Sequence, residues 1–173
     1  MNILLYTSLG IFTAYVIVTN ILHVKKYSYL LPSLSESYYF YEDLHKGLGV
    51  MFEILLMFIV PMGLIPNLME HTPEGCGIIP VLAVFGVMLV GAAPLFKSHQ
   101  VTIHSVGAIG AAIVGFIWSI ITNTWMFWIG VTFLVAVIYG FTFKISKYAW
   151  LFWLEMIAFY SIYLSIILID YGN

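Results

Sequence analysis

Long apolar runs alternate with short polar segments along the whole chain. A helix of roughly 20 apolar residues is long enough to cross the ~30 Å hydrocarbon core of a bilayer. The pattern predicts an all-α, polytopic integral membrane protein that forms a single transmembrane domain over residues 1–173. Six transmembrane helices are predicted, at residues 3–22, 47–65, 78–96, 103–121, 125–143 and 149–169.

The first loop, residues 23–46, is polar and rich in tyrosine. Ser33 precedes Glu36 by three residues, which is the spacing of a capping box and predicts a short helix that begins after Pro32. Tyrosine suits the membrane surface because its ring lies in lipid while its hydroxyl group reaches water. We therefore predict a short interfacial helix in the first loop.

The composition excludes a soluble domain and disfavours nucleic acid as a partner. The chain is 62% hydrophobic and 8% charged, whereas soluble domains carry about 25% charged residues. Six basic residues, all of them lysine, and a net charge of -2 do not supply the basic face that phosphate binding needs. The single cysteine, Cys76, cannot form an intramolecular disulfide. The partner that these numbers predict is the lipid bilayer.

The lysines predict the orientation of the chain. If the six spans are correct, every lysine lies in the first, third or fifth loop: Lys25, Lys26, Lys46, Lys97, Lys144 and Lys147. Loops rich in lysine and arginine stay in the cytoplasm. A multi-pass protein of the cell membrane is therefore predicted, with these loops cytoplasmic and both termini outside.

Two carboxylates inside the apolar runs are the first candidates for a functional site. Glu53 lies six residues after Gly47, and Glu155 lies six residues after Ala149. At ~1.5 Å per residue, both would lie roughly 9 Å below the same surface. A carboxylate at such a depth is costly unless it is paired or reaches water. Both are therefore predicted to face a pocket within the bundle.

Histidines from the lysine-bearing side would complete this pocket, and the first loop would cover it. The candidate ligand-binding residues are Glu53, Glu155, His45, His99, His104, Ser35 and Tyr39. Carboxylates can pair with a cation, while histidine, serine and tyrosine can form hydrogen bonds. The prediction is a cytoplasm-facing polar pocket that binds or transports a small polar ligand, an ion or a lipid headgroup.

Two alternatives stay open. Neutral imidazoles of His45, His99 and His104 are candidate ligands of zinc, which would make the protein a zinc-dependent intramembrane lipid hydrolase. Against this, residues five apart on a helix differ by about 140° in direction, whereas ligands on one face come three or four apart. The other alternative is a membrane scaffold or host-interaction protein without a ligand. The pattern leaves the oligomeric state open.

Small residues in the predicted fourth span indicate close helix packing. Gly107, Ala111 and Gly115 are spaced four residues apart and would form one smooth face of a helix. Such a face lets another backbone approach closely. It predicts packing and not chemistry.

The segments PSLSESYY, VGAAPLFK and IHSVGA resemble a group of small six-helix hypothetical membrane proteins of gut bacteria and their phages. The similarity spans most of the chain and implies the same order of segments, but no activity. More distantly, the layout resembles the DRAM and Frag-type six-helix membrane proteins. That resemblance rests on Ser35 in the first loop and His104 at the start of the fourth span.

Overall fold

The computed structural model of the protein describes residues 3–122 and 147–172, together with four single positions at 132, 135, 138 and 139. The described ranges are helical and contain no strand, which confirms the all-α prediction. The predicted fifth span, 125–143, lies outside the described residues except for those four positions. The α-helices are α1 (Ile3–Tyr27), α2 (Glu36–Leu44), α3 (Val50–Ile54), α4 (Val60–Glu70), α5 (Ile78–Ala92), α6 (Gln100–Thr122) and α7 (Lys147–Gly172).

Four helical stretches in the described ranges are long and apolar enough to cross a membrane: Ile3–Tyr27, Val50–Glu70, Ile78–Thr122 and Leu151–Asp170. The third has 45 residues, about twice what a ~30 Å core requires. It comprises α5 and α6, joined by a 3-10 segment, Ala93–His99, in which Lys97 has a φ of 40°. The chain reverses there, so this stretch corresponds to the predicted third and fourth spans. The total of six spans stays a prediction.

Helices α5 and α6 pack backbone against backbone. A Cβ atom added to Gly86 would lie 2.7 Å from both the carbonyl oxygen of Gly107 and the amide nitrogen of Ala111. A Cβ atom added to Gly107 would lie 2.7 Å from the carbonyl oxygen of Gly86. Contacts this close require glycine. Gly107 and Ala111 of the predicted packing face therefore lie against α5, whereas a Cβ atom added to Gly115 would lie 3.7 Å from Ile162 of α7.

The second apolar helix contains a π-helical turn before Pro61 and does not end at its prolines. A π-helical turn, Leu55–Ile59, joins α3 to α4, and the amide of Val60 donates to the carbonyl of Leu55, five residues back. Proline lacks the amide that would continue an α-helical ladder, and its ring clashes with the preceding turn. Pro61, directly after the wide turn, therefore explains the irregularity. The helix continues through Pro66 to Glu70, five residues beyond the predicted end of the second span at residue 65.

Helix α1 packs against α4 and α7. Its buried face repeats every three or four residues, as helix geometry requires: Leu5, Ser8, Phe12, Val16, Thr19 and His23. Ser8 lies against Gly63 of α4, and its Oγ is 2.5 Å from the hydroxyl oxygen of Tyr163 on α7. The ring of Phe12 stacks on Phe159 with centroids 4.8 Å apart. Helix α1 therefore contributes to the core along most of its length.

Polar contacts gather the α4–α5 loop and the ends of α6 and α7 at one end of the molecule. His71 Nε2 is 2.9 Å from Asp170 Oδ1. Trp118 Nε1 donates to Thr72 Oγ1 at 2.8 Å. The start of α6 and the first loop lie at the opposite end, where α7 also begins.

Replacing Gly107 with alanine should destabilise the α5–α6 hairpin. The new methyl group would collide with the backbone of Gly86, and overpacking of this kind costs about 1–3 kcal/mol. The matched control is Gly110→Ala on the same helix, where an added Cβ meets nothing within 4 Å. Thermal unfolding in detergent should show a lower midpoint for Gly107→Ala alone. Equal midpoints for the two variants would contradict the close backbone contact.

Candidate functional site

The first loop folds into the bundle. Leu31, Ser33 and Leu34 are each less than 5% exposed. Ser33 Oγ accepts a hydrogen bond from the amide of Glu36 at 3.3 Å, and α2 begins there. A short helix, α2, therefore follows in the first loop, but its N-cap is Ser35, which makes no side-chain cap bond, and it begins three residues later than the Ser33–Glu36 spacing predicted. Its location at the membrane interface stays a prediction.

Helix α1 holds α2 through hydroxyl groups. The hydroxyl of Tyr15 donates to Ser37 Oγ at 2.7 Å, and Ser37 Oγ donates to the carbonyl of Leu34 at 2.5 Å. One turn further along α1, Thr19 Oγ1 lies 2.9 Å from the hydroxyl oxygen of Tyr41. Because these bonds are buried or half-buried, they fix the loop more firmly than exposed bonds would.

An ion pair holds the outer part of the loop. Lys26 Nζ lies 2.5 Å from Asp43 Oδ2, and the hydroxyl of Tyr27 donates to the same oxygen at 2.7 Å. The hydrogen bond from Lys26 lowers the pKa of Asp43. The pair is solvent-exposed, so its contribution to stability is small.

Glu155 of α7 binds the loop from the other side. Its Oε2 accepts a hydrogen bond from the backbone amide of Leu34 at 2.5 Å. This contact joins residues 121 positions apart in the chain. A buried amide without a partner would be costly, so Glu155 stabilises the position of the loop. The carboxylate therefore has a structural role next to any role in binding.

A cavity of about 460 Å³ lies below the loop, between α6 and α7. Its described walls are largely aliphatic and aromatic. The polar side chains among the described lining residues are Ser35, His104, Ser119, Glu155, Ser161 and Ser165. The predicted polar pocket is therefore a largely apolar cavity with a few polar groups. The described helices that enclose the cavity have few polar residues to contribute to its wall.

The polar groups of this cavity are unevenly distributed. At the far end, the serine hydroxyls donate to carbonyls of their own helices: Ser119 to Gly115 at 3.0 Å and Ser165 to Ser161 at 2.5 Å. Such bonds leave the wall nearly as apolar as its neighbours. The carboxylate, the imidazole and Ser35 lie together at the loop end. The described lining of the cavity therefore has one polar end and one long apolar body.

A smaller cavity of about 160 Å³ adjoins the polar end. It shares Ser35, Phe52, Val90 and His104 with the larger cavity. Its other lining residues include three polar side chains: Glu36, Tyr39 and Gln100. The two cavities thus meet at Ser35 and His104.

The structure brings together four of the seven predicted site residues. Ser35, His104 and Glu155 line the large cavity, and Tyr39 lines the small one with Ser35 and His104. The prediction that the first loop covers the site agrees with the position of Ser35 and Tyr39.

Three predicted residues lie elsewhere. Glu53 is half-buried on α3 and is among the described lining residues of neither cavity. Depth along a helix does not determine direction, and one residue corresponds to a rotation of about 100°. Phe52 faces the cavity, so Glu53 does not. His45 and His99 are exposed and line neither cavity.

The predicted zinc site is not assembled. In the ranges 3–122 and 147–172 no group of three histidine, cysteine, aspartate or glutamate side chains is close enough to hold a metal ion. His45 follows the end of α2, where its Nδ1 lies 3.0 Å from the carbonyl oxygen of Lys46. His99 ends the 3-10 segment and His104 lies inside α6. The three rings therefore have different surroundings, because His45 and His99 are exposed whereas His104 lines both cavities.

Sequence reasoning missed Glu36 and Gln100 as lining residues. Glu36 was considered only as a helix cap, and Gln100 was not considered. The sequence did contain a signal for Gln100, because it lies four residues before His104 and therefore on the same face of a helix.

Replacing Glu155 with alanine should loosen the first loop. The amide of Leu34 would lose its acceptor, and an unsatisfied buried group costs about 1–3 kcal/mol. Hydrogen exchange, followed by mass spectrometry, should then be about tenfold faster in a peptide that contains Leu34. Glu53→Ala is the matched control and should leave that peptide unchanged. Unaltered exchange in Glu155→Ala would show that the carboxylate does not hold the loop.

Comparison with known proteins does not add an assignment. No family model matches the chain, and no curated protein or solved structure matches it either. The candidate function therefore rests on the geometry of the two cavities.

Proposed function

We propose that this membrane protein binds an amphiphilic, lipid-like molecule in the large cavity. The apolar tail would lie between α6 and α7, and the head group would lie at Ser35, His104 and Glu155. The observation that carries the proposal is the uneven distribution of polar groups along the cavity. A ligand with the same asymmetry satisfies both ends, because it buries its tail without burying its head group unpaired.

The size of the cavity supports a chain-like ligand. Its lining extends along α6 from His104 to Ser119, which corresponds to about 22 Å of helix. This is most of the ~30 Å thickness of the hydrocarbon core. The volume also falls within the range of roughly 300–1,000 Å³ that is typical of small-molecule sites. An acyl or alkyl chain matches this shape better than a compact polar solute.

The other candidate functions, a scaffold, an ion transporter and a zinc hydrolase, have less support. A scaffold without a ligand would be expected to have a close-packed interior, whereas this cavity has a volume of about 460 Å³. Transport of a small ion would need polar groups along the path, and the serines at the far end donate to their own helices. A zinc hydrolase would need an assembled set of metal ligands.

The proposed orientation places the head-group end at the cytoplasmic surface. The lysine pattern supports it, because Lys97 follows α5 and belongs to the same end as the first loop. Both termini would then lie outside the cell. The resemblance to six-helix membrane proteins of gut bacteria and phages, and to the DRAM and Frag types, remains part of this proposal.

Filling the cavity should expel the ligand. Ala112 lines the cavity, so Ala112→Phe places a ring in the proposed tail site. Val106→Phe is the control on the same helix, because Val106 is 59% exposed and lines neither cavity. Protein purified in detergent, extracted and analysed by mass spectrometry should retain an amphiphile in near-stoichiometric amount in the wild type and in Val106→Phe. Ala112→Phe should retain about tenfold less.

Two results would contradict the proposed function. One is wild-type protein that retains no amphiphile after purification. The other is an equal amount in Ala112→Phe and Val106→Phe, which would locate the retained molecule on the outer, lipid-facing surface.

Cysteine labelling should test the orientation. In a Cys76→Ser background, single cysteines at two exposed positions, Glu74→Cys and Lys97→Cys, report the two ends. A membrane-impermeant maleimide added to intact cells should label Glu74→Cys and not Lys97→Cys. Permeabilised cells should label both. The reverse pattern in intact cells would overturn the proposed orientation.

A further inference from the structure

The head-group end of the site is acidic. Glu155 lines the large cavity and Glu36 lines the small one. The hydrogen bond between Glu155 and the Leu34 amide brings the start of α2, where Glu36 lies, next to α7. Two ionised carboxylates at one site repel each other, and a proton on one of them or a cation between them relieves the repulsion.

The described part of the chain supplies no such cation to the site. No lysine is among the described lining residues of either cavity, and the chain has no arginine. Lys26 is paired with Asp43, and Lys97 is exposed on the 3-10 segment. The ion pairs among residues 3–122 and 151–170 are Lys26–Asp43 and His71–Asp170, and neither involves Glu36 or Glu155.

The remaining polar groups at this end can accept hydrogen bonds. Ser35 and Tyr39 have hydroxyl oxygens, and Gln100 has an amide oxygen. A neutral His104 ring has one nitrogen that can accept a hydrogen bond. His104 makes no hydrogen bond to a described residue, so its ring is available to a ligand. An ammonium group has three N–H donors. The junction of the two cavities therefore offers carboxylates for its charge and neutral acceptors for its protons.

We propose that the head group of the bound amphiphile is a cationic amine, held at the junction of the two cavities between Glu155 and Glu36. This inference rests on the proposed function, since it names the class of the ligand that occupies the same site. Glu155 contributes from the large cavity, while Glu36, Tyr39 and Gln100 surround the head group from the small one. An anionic head group, such as a phosphate or a carboxylate, would meet two carboxylates without a described cation to offset them.

Three single-chain amphiphiles with the same tail can test this: hexadecylamine, hexadecan-1-ol and hexadecanoate. Binding is measured by native mass spectrometry on protein in uncharged detergent, so that the medium does not select by charge. The wild type should bind the amine about tenfold more tightly than the alcohol, and the acid should bind most weakly.

Charge-neutralising variants test whether the two carboxylates cause the preference for the amine. Glu155→Gln keeps an oxygen that can accept a hydrogen bond from the Leu34 amide, so the loop should stay in place. Because the variant loses the negative charge, it should lower amine affinity about tenfold and leave alcohol binding unchanged. Glu36→Gln should act in the same direction, and less strongly because Glu36 is exposed. Glu70→Gln is the control: Glu70 ends α4 and lines neither cavity, so amine affinity should not change.

The outcomes separate this inference from the proposed function. If hexadecanoate binds as tightly as the amine, or if Glu155→Gln leaves the amine preference intact, the amine head group is wrong. In that case loss of binding in Ala112→Phe would still support an amphiphile in the cavity. If none of the three compounds binds the wild type and no amphiphile is retained on purification, the proposed function fails, and the amine inference fails with it.

Discussion

The hydrogen bond from the Leu34 amide to Glu155 makes the buried first loop possible. A backbone amide or carbonyl buried away from water needs another partner, so irregular chain inside a helical bundle requires partners from the protein. Glu155 supplies one for Leu34, and Asn20 Oδ1 accepts the amide of Leu31 at 3.1 Å. Ser37 donates to the carbonyl of Leu34. Side chains of α1, α2 and α7 therefore supply the hydrogen-bond partners that backbone groups in a helix find within the helix.

The same constraint explains why the cavity has one polar end. Where the backbone is helical, serine hydroxyls have a carbonyl of their own helix within reach, and Ser119 and Ser165 use it. Where the first loop interrupts the helical pattern, Ser35 and Glu155 are brought together with His104. Among the described lining residues of this cavity, the carboxylate and the imidazole thus lie at the end next to the first loop. A ligand with one polar end fits that arrangement.

Much of the fold could be predicted because it depends on local sequence. The apolar runs predicted α1, α4, α5, α6 and α7 approximately, and the Ser33–Glu36 spacing predicted a short helix in the first loop. The prediction of a packing face at Gly107 and Ala111 was correct, because residues four apart share a helix face whichever helix packs against them. The second apolar helix extends beyond the predicted end of its span, since a π-helical turn accommodates Pro61 and the helix continues to Glu70. The candidate site was predicted only in part: Ser35, Tyr39, His104 and Glu155 lie at the cavities, whereas Glu53, His45 and His99 do not.

By itself, the sequence determined that the chain is helical, that its helices suit a membrane, and how deep each ionisable group lies along its helix. These properties follow from composition and from the 1.5 Å rise per residue. Only the tertiary structure decided which side of each helix faces inward, because helix rotation depends on contacts between segments far apart in the chain. The 121-residue separation of Leu34 and Glu155 is the clearest case. That contact brings the loop over the cavity and gathers the polar groups at one end.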